Sequence, residues 1–203
     1  MNNKNNRLVI GIALLFEITL IITAILSIVS RQWKNLWLSL LAVVCLIIPF
    51  ILTRIANIKK IRLPYNFQLM TLIFIFLAQY LGEIKNFYGI FWWWDILLHA
   101  TSGSYVVIIA LYSMEGVITK EEGITNQRFD FFTAIFAFSI SITLGTLWEM
   151  FEFIGDYLFN TNMVKGGLED TSTDLIVKIL AAFITSIIYY YRNNKSIKKR
   201  SKL

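Results

Sequence analysis

WWWDILLHATSG, residues 92–103, begins an apolar segment with three tryptophans and then places Asp95 and His99 four residues apart inside it. Tryptophan favours the interface between lipid and water, so the triplet predicts where a helix enters a membrane. An Asp at the centre of a membrane helix costs about 2.5–3.5 kcal/mol on insertion scales, so ionisable residues there usually have a partner and a function. The stretch therefore predicts a membrane helix that carries part of a polar site.

Composition extends this interpretation to the whole chain. Hydrophobic residues make up 57% of the 203 residues, there are two prolines, and the mean hydropathy is +0.63. So little polar material excludes an ordinary soluble domain. We therefore predict an all-α, polytopic membrane helix bundle.

Six segments approach the length of about 20 apolar residues that a helix needs to cross a bilayer. The first exceeds the apolar core of a signal peptide, about 7–15 residues, so we expect it to be retained. The loops are too short to fold alone, and we predict that residues 1–203 form a single integral membrane domain. The predicted spans are 8–29, 33–53, 67–84, 93–113, 130–155 and 173–191.

The distribution of basic residues predicts the orientation. Of the 19 lysines and arginines, four fall in the loops of one side, Arg31, Lys34, Lys85 and Lys165, and Lys178 lies within a span. The other fourteen fall in the two termini and in the loops of the other side. Basic loops stay in the cytoplasm, so we predict a multi-pass protein of the cytoplasmic membrane with both termini inside.

The net charge of +6 and the pI near 9.4 have an adequate explanation in lipid binding. The charge is concentrated in the inner loops and in the tail RNNKSIKKRSKL, residues 192–203. Attraction to anionic lipid is worth about 1 kcal/mol per basic residue near the surface. We expect membrane lipids as partners and no nucleic acid.

The inner loop IANIKKIRLPYN, residues 55–66, predicts a short interfacial helix that ends at Pro64.

Three predicted spans carry ionisable residues near their outer ends. Asp95 and His99 begin the fourth span, and Glu149 lies about 28 Å along the fifth from its inner end, at 1.5 Å per residue. Asp174 and Lys178 are one turn apart on the sixth. Because charges facing lipid would remain unpaired, we predict that these faces turn inward and meet.

This arrangement suits a cation site. His99 and Glu149 are the candidate catalytic residues, and the candidate metal ligands are Asp95, His99, Glu149, Glu152 and Asp174. One histidine among several carboxylates favours Mg²⁺, Mn²⁺ or Ca²⁺ over Zn²⁺. Glu17, midway along the first span, fits equally a proton or hydrogen-bond partner within the bundle and a distant member of the site.

Several of these residues also have a structural interpretation. Asp95 suits the positive end of a helix dipole. Thr171 and Asp174 resemble a capping box. Lys178 lies one turn from Asp174 and could neutralise it. These alternatives stay open at the level of sequence.

The polar segments also resemble a known family. D-I-L-L-H-x-x-x-G at 95–103, W-E-M-F-E-F at 148–153 and D-T-S-T-D-L-I at 170–176 are similar to the uncharacterised YjdF-type family of bacterial integral membrane proteins, and more distantly to VanZ-like proteins. The resemblance covers about residues 60–190 and implies a common site without naming a reaction.

Three functions fit these observations. The first is metal-assisted hydrolysis or transfer on a lipid or lipid-linked headgroup in the outer half of the bilayer. The second is a small proton- or ion-coupled transporter, and the third a non-catalytic scaffold with a buried polar network. Since the polar residues concentrate in the outer half, a one-sided site is favoured over transport.

Overall fold

The computed structural model describes residues 3–115, 117–159, 163–164 and 166–200, with side chains for 7–115, 117–158, 163–164 and 166–193. Over this part of the chain the fold is helical and contains no strand, and six helices are long and apolar enough to cross a membrane, which confirms the predicted fold class. Lys165 and the end of the basic tail, including Lys202, lie outside the described residues. The helices are α1 (Asn3–Val29), α2 (Trp33–Ile58), α3 (Phe67–Ile75) with its π-helical continuation Phe76–Ile84, α4 (Phe87–Ile90), α5 (Trp94–Met114), α6 (Asn126–Phe159) and α7 (Leu168–Arg200).

The backbone divides into two compact units, Met1–Asp95 and Ile96–Leu203. The boundary falls in the first turn of α5, so the whole of α5 is described with the second unit. In the first unit, buried residues of α1 such as Ala13 and Leu20 form one apolar cluster with Ala42 and Leu46 of α2. Glu17 is half-buried on α1.

In the second unit α6 and α7 run antiparallel. The rings of Phe138 and Phe183 meet at 5.9 Å, and the side chain of Asn193 donates a hydrogen bond to that of Asp130 at 3.3 Å. Small residues at buried positions let membrane helices approach closely. The core of this unit accordingly combines Val107, Ala110 and Leu111 of α5 with Ala137 of α6 and Ala182 of α7.

Two helix ends differ from what the sequence suggested. Helix α2 ends at Ile58, where Lys60 adopts a left-handed φ of 56° and the Ile61 N–H bonds the Ala56 carbonyl at 2.8 Å, so residues 59–66 form no interfacial helix. This hydrogen bond closes the last turn of α2 and satisfies one of its terminal carbonyls.

The last helix begins five residues before the predicted span. Gly167, with a left-handed φ of 66°, directly precedes Leu168, the first residue of α7. Glu169 and Asp170 then stand in the first turn, where acidic side chains favour the helix dipole. Thr171 is therefore inside α7 and is not its N-cap, so the capping-box interpretation of Thr171 and Asp174 does not apply.

Candidate functional site

His99 lies between acidic side chains of the two neighbouring helices. Its Nδ1 is 3.6 Å from Glu149 Oε1 on α6, and its Nε2 is 3.6 Å from Asp174 Oδ2 on α7. All three residues are buried. Helical periodicity places His99 and Asp174 each about one and a half turns inside its helix, α5 and α7 respectively, so both reach a similar level of the unit. The predicted convergence of these three side chains is thus present, while their roles stay predictions.

Lys178 completes this cluster. Its Nζ donates a hydrogen bond to Glu149 Oε1 at 3.0 Å, shorter than either contact of His99. The other carboxylate oxygen of Glu149, Oε2, is buried without a hydrogen-bond partner in the described part of the chain. An unpaired charge at such a position would be costly, and the ammonium of Lys178 provides the Glu149 carboxylate with a countercharge.

Two glycines make room for Lys178. A Cβ at Gly103 would stand 2.7 Å from the Lys178 carbonyl oxygen, and a Cβ at Gly145 would stand 3.0 Å from Lys178 Cδ. The backbone of α7 thus packs against Gly103, and the Lys178 side chain packs against Gly145 and extends to Glu149. Ser141 Oγ donates a buried hydrogen bond to the Gly103 carbonyl at 2.8 Å and ties α6 to α5 at this point.

Asp95, His99 and Asp174 form a group that is able to hold a cation. One ligand atom from each lies within 4.8 Å of the other two. The 3.6 Å between His99 Nε2 and Asp174 Oδ2 is longer than an ordinary hydrogen bond of about 2.7–3.2 Å. Two atoms bound to one Mg²⁺ at about 2.1 Å each are at most about 4.2 Å apart, and for Ca²⁺ at about 2.4 Å this limit is about 4.8 Å. The 3.6 Å between these two atoms is thus within the range that two ligands of one divalent cation can have.

The other candidate ligands have different surroundings. Glu149 faces the opposite ring nitrogen of His99, and the three-residue group contains neither Glu149 nor Glu152. Glu152 is half-buried and accepts a hydrogen bond from Trp148 Nε1 at 2.7 Å on its own helix. Asp156 accepts hydrogen bonds from the backbone of Met163 and Val164 at 2.6 and 2.8 Å, which anchors the start of the next loop.

The sequence did not reveal how Lys178 is held. The i, i+4 spacing on α7 suggested Asp174 as its partner, whereas in the structure Lys178 forms an ion pair with Glu149 of α6. A signal was available in the spacing of four residues that joins Ser141, Gly145 and Glu149 on one face of α6. Gly103 follows His99 by the same spacing on α5.

Comparisons with known proteins extend over the same helices. A family model described as "Predicted membrane protein (DUF2238)" matches residues 12–195. An uncharacterized protein of Thermotoga maritima is 28% identical over 142 residues, which is 70% of this chain and 69% of that protein. No solved structure matches the chain.

Proposed function

This chain belongs to the DUF2238 family of predicted membrane proteins, and we propose that it holds a divalent cation on Asp95, His99 and Asp174 for hydrolysis or transfer at a lipid or lipid-linked headgroup. The observation that carries the proposal is the approach of these three ligand types to within 4.8 Å of one another. Three protein ligands leave coordination positions open for water and substrate. A water bound to such a cation loses a proton far more readily than free water and becomes a nucleophile.

Glu149 acts in this proposal through His99. A metal-bound histidine commonly donates its second ring N–H to a carboxylate, which fixes the ring and its tautomer. A cation held by Nε2 would leave Nδ1 facing Glu149 Oε1, which lies 3.6 Å away. Lys178 balances the charge of that carboxylate from the other side. Glu149 is then a positioning residue, and His99 a ligand.

The depth of the group supports a headgroup as substrate. Asp95 is the second residue of α5 and Asp174 the seventh of α7, so both lie near helix ends. The predicted orientation puts these ends at the outer face of the cytoplasmic membrane. Trp92 and Trp93, both exposed, precede the group at the depth where tryptophan meets headgroups.

One observation favours a second function, a scaffold with a purely structural polar network. The ion pair of Lys178 and Glu149 is buried and supplies its own countercharge without any cation. Transport has less support, because Val107, one turn beyond Gly103, and Ala182, one turn beyond Lys178, belong to a buried apolar cluster.

Metal content separates the first two functions. We expect detergent-purified protein to retain Mn²⁺ or Mg²⁺ near one ion per chain after dialysis, measured by inductively coupled plasma mass spectrometry. His99→Ala and Asp174→Asn should lose it. Glu169→Gln, which changes an exposed acid at the same end of α7, is the matched control and should retain it. Equal, near-zero metal in all four proteins, with melting temperatures unchanged by EDTA, would favour the scaffold.

A further inference from the structure

The second unit contains a cavity of about 610 Å³ at the end remote from His99. It is bounded by the end of α5, the following loop and the first turns of α6. Met114, which lines it, is fifteen residues from His99, or about 22 Å along α5 at 1.5 Å per residue. Its volume is within the range of about 300–1,000 Å³ that is usual for ligand sites.

The lining of this cavity is amphipathic along its length. Thr119, Glu121 and Arg128 provide polar groups on the side of the loop. Phe132 and Phe136 continue the wall along α6, the latter about 12 Å beyond Arg128 at 1.5 Å per residue. These two rings are 58% and 55% exposed on a membrane-spanning helix, where the surrounding medium is acyl chain. A ligand that matches this wall has a polar head and an apolar tail.

The two charged groups of the lining have opposite sign. In the part of the chain that the structure describes, neither the guanidinium of Arg128 nor the carboxylate of Glu121 has a side-chain partner. The planar guanidinium matches phosphate with two parallel hydrogen bonds. A carboxylate accepts hydrogen bonds from an ammonium group, which carries three N–H donors.

We infer that this cavity binds a zwitterionic glycerophospholipid whose headgroup carries a phosphate and a primary ammonium, as in phosphatidylethanolamine. Arg128 holds the phosphate, Glu121 holds the ammonium, and an acyl chain lies against Met114, Phe132 and Phe136. The predicted orientation makes this a lipid of the inner leaflet. The site is independent of the proposed cation centre, so either proposal can fail alone.

Native mass spectrometry of the full chain tests this binding. Purified protein is titrated with palmitoyl-oleoyl phosphatidylethanolamine, phosphatidylcholine or phosphatidylglycerol in one detergent. We expect one saturable adduct with phosphatidylethanolamine. Phosphatidylcholine has no N–H to donate to Glu121, and phosphatidylglycerol has no cation. Both should therefore bind at least about tenfold more weakly than phosphatidylethanolamine, which is the usual effect of losing a charged hydrogen bond.

Matched variants assign the two contacts. Arg128→Gln should weaken phosphatidylethanolamine binding about tenfold, whereas Arg192→Gln, at an exposed arginine outside the cavity, should not. Glu121→Gln should remove the preference over phosphatidylglycerol, whereas Glu122→Gln should keep it. Equal binding of the three lipids, or equal effects of cavity and control variants, would overturn the inference. Unchanged melting temperatures show that the variants remain folded.

Discussion

Lys178 Nζ and Glu149 Oε1 form an ion pair of 3.0 Å that joins α7 to α6 inside the second unit. Their side chains are only 8% and 4% exposed. The same Glu149 oxygen faces Nδ1 of His99, so the pair sets the electrostatic environment of that ring. Removing one member of such a pair leaves a buried charge without compensation, which costs far more than the pair contributes.

Lys178→Met should therefore destabilise the protein by about 3–5 kcal/mol. The double variant Lys178→Met with Glu149→Gln should recover at least about 1 kcal/mol of that loss, because the buried charge is gone. Unfolding by denaturant in detergent micelles measures both values. Strictly additive effects of the two substitutions would contradict a direct ion pair.

Gly103→Ala should also destabilise the bundle, by about 1–3 kcal/mol, because the new methyl group would overlap the α7 backbone at the Lys178 carbonyl. Gly11 is the matched control, since a Cβ there has nothing within 4 Å. Gly11→Ala should be neutral or stabilise α1 by up to about 1 kcal/mol. If the two alanine variants melt alike, the close approach of α5 and α7 is wrong.

Glu149→Gln tests the role of the carboxylate behind His99. If Glu149 positions a metal-bound histidine, the substitution should weaken Mn²⁺ affinity by about 10–100-fold, the effect usual for such outer partners. Asp174→Asn, which changes a direct ligand, should weaken it more. Isothermal titration calorimetry with Mn²⁺ measures both, with Glu169→Gln as the control. An equal loss for Glu149→Gln and Asp174→Asn would make Glu149 a ligand instead.

The predicted orientation is open to cysteine labelling. In a Cys45→Ser background, Gln32→Cys should react with a membrane-impermeant maleimide added to intact cells, since Gln32 lies in a predicted outer loop. Glu122→Cys, in a predicted inner loop, should react only after the cells are permeabilised. Both positions are exposed. The reverse pattern would place the His99 cluster at the inner face of the membrane.

Much of the candidate site followed from helical periodicity. The shared depth of His99, Glu149 and Asp174 could be counted from span ends, because a membrane helix rises by a fixed 1.5 Å per residue. The partner of Lys178 could not be predicted in this way, since both Asp174 and Glu149 were candidates. Only the packing of α6 against α7 selects Glu149. The orientation of the His99 ring depends on Glu149 and Asp174 of the neighbouring helices and could not be predicted from the sequence either.

By itself the sequence determined the six membrane helices, because lipid offers no hydrogen bonds and an apolar segment of sufficient length satisfies its backbone only as a helix. Its basic residues also determined the predicted orientation. The tertiary structure alone decided that α2 closes at Lys60 and that α7 begins at Leu168. It alone brought Gly103 and Gly145 against Lys178, because close approach between helices depends on three-dimensional packing, which hydropathy and charge do not encode.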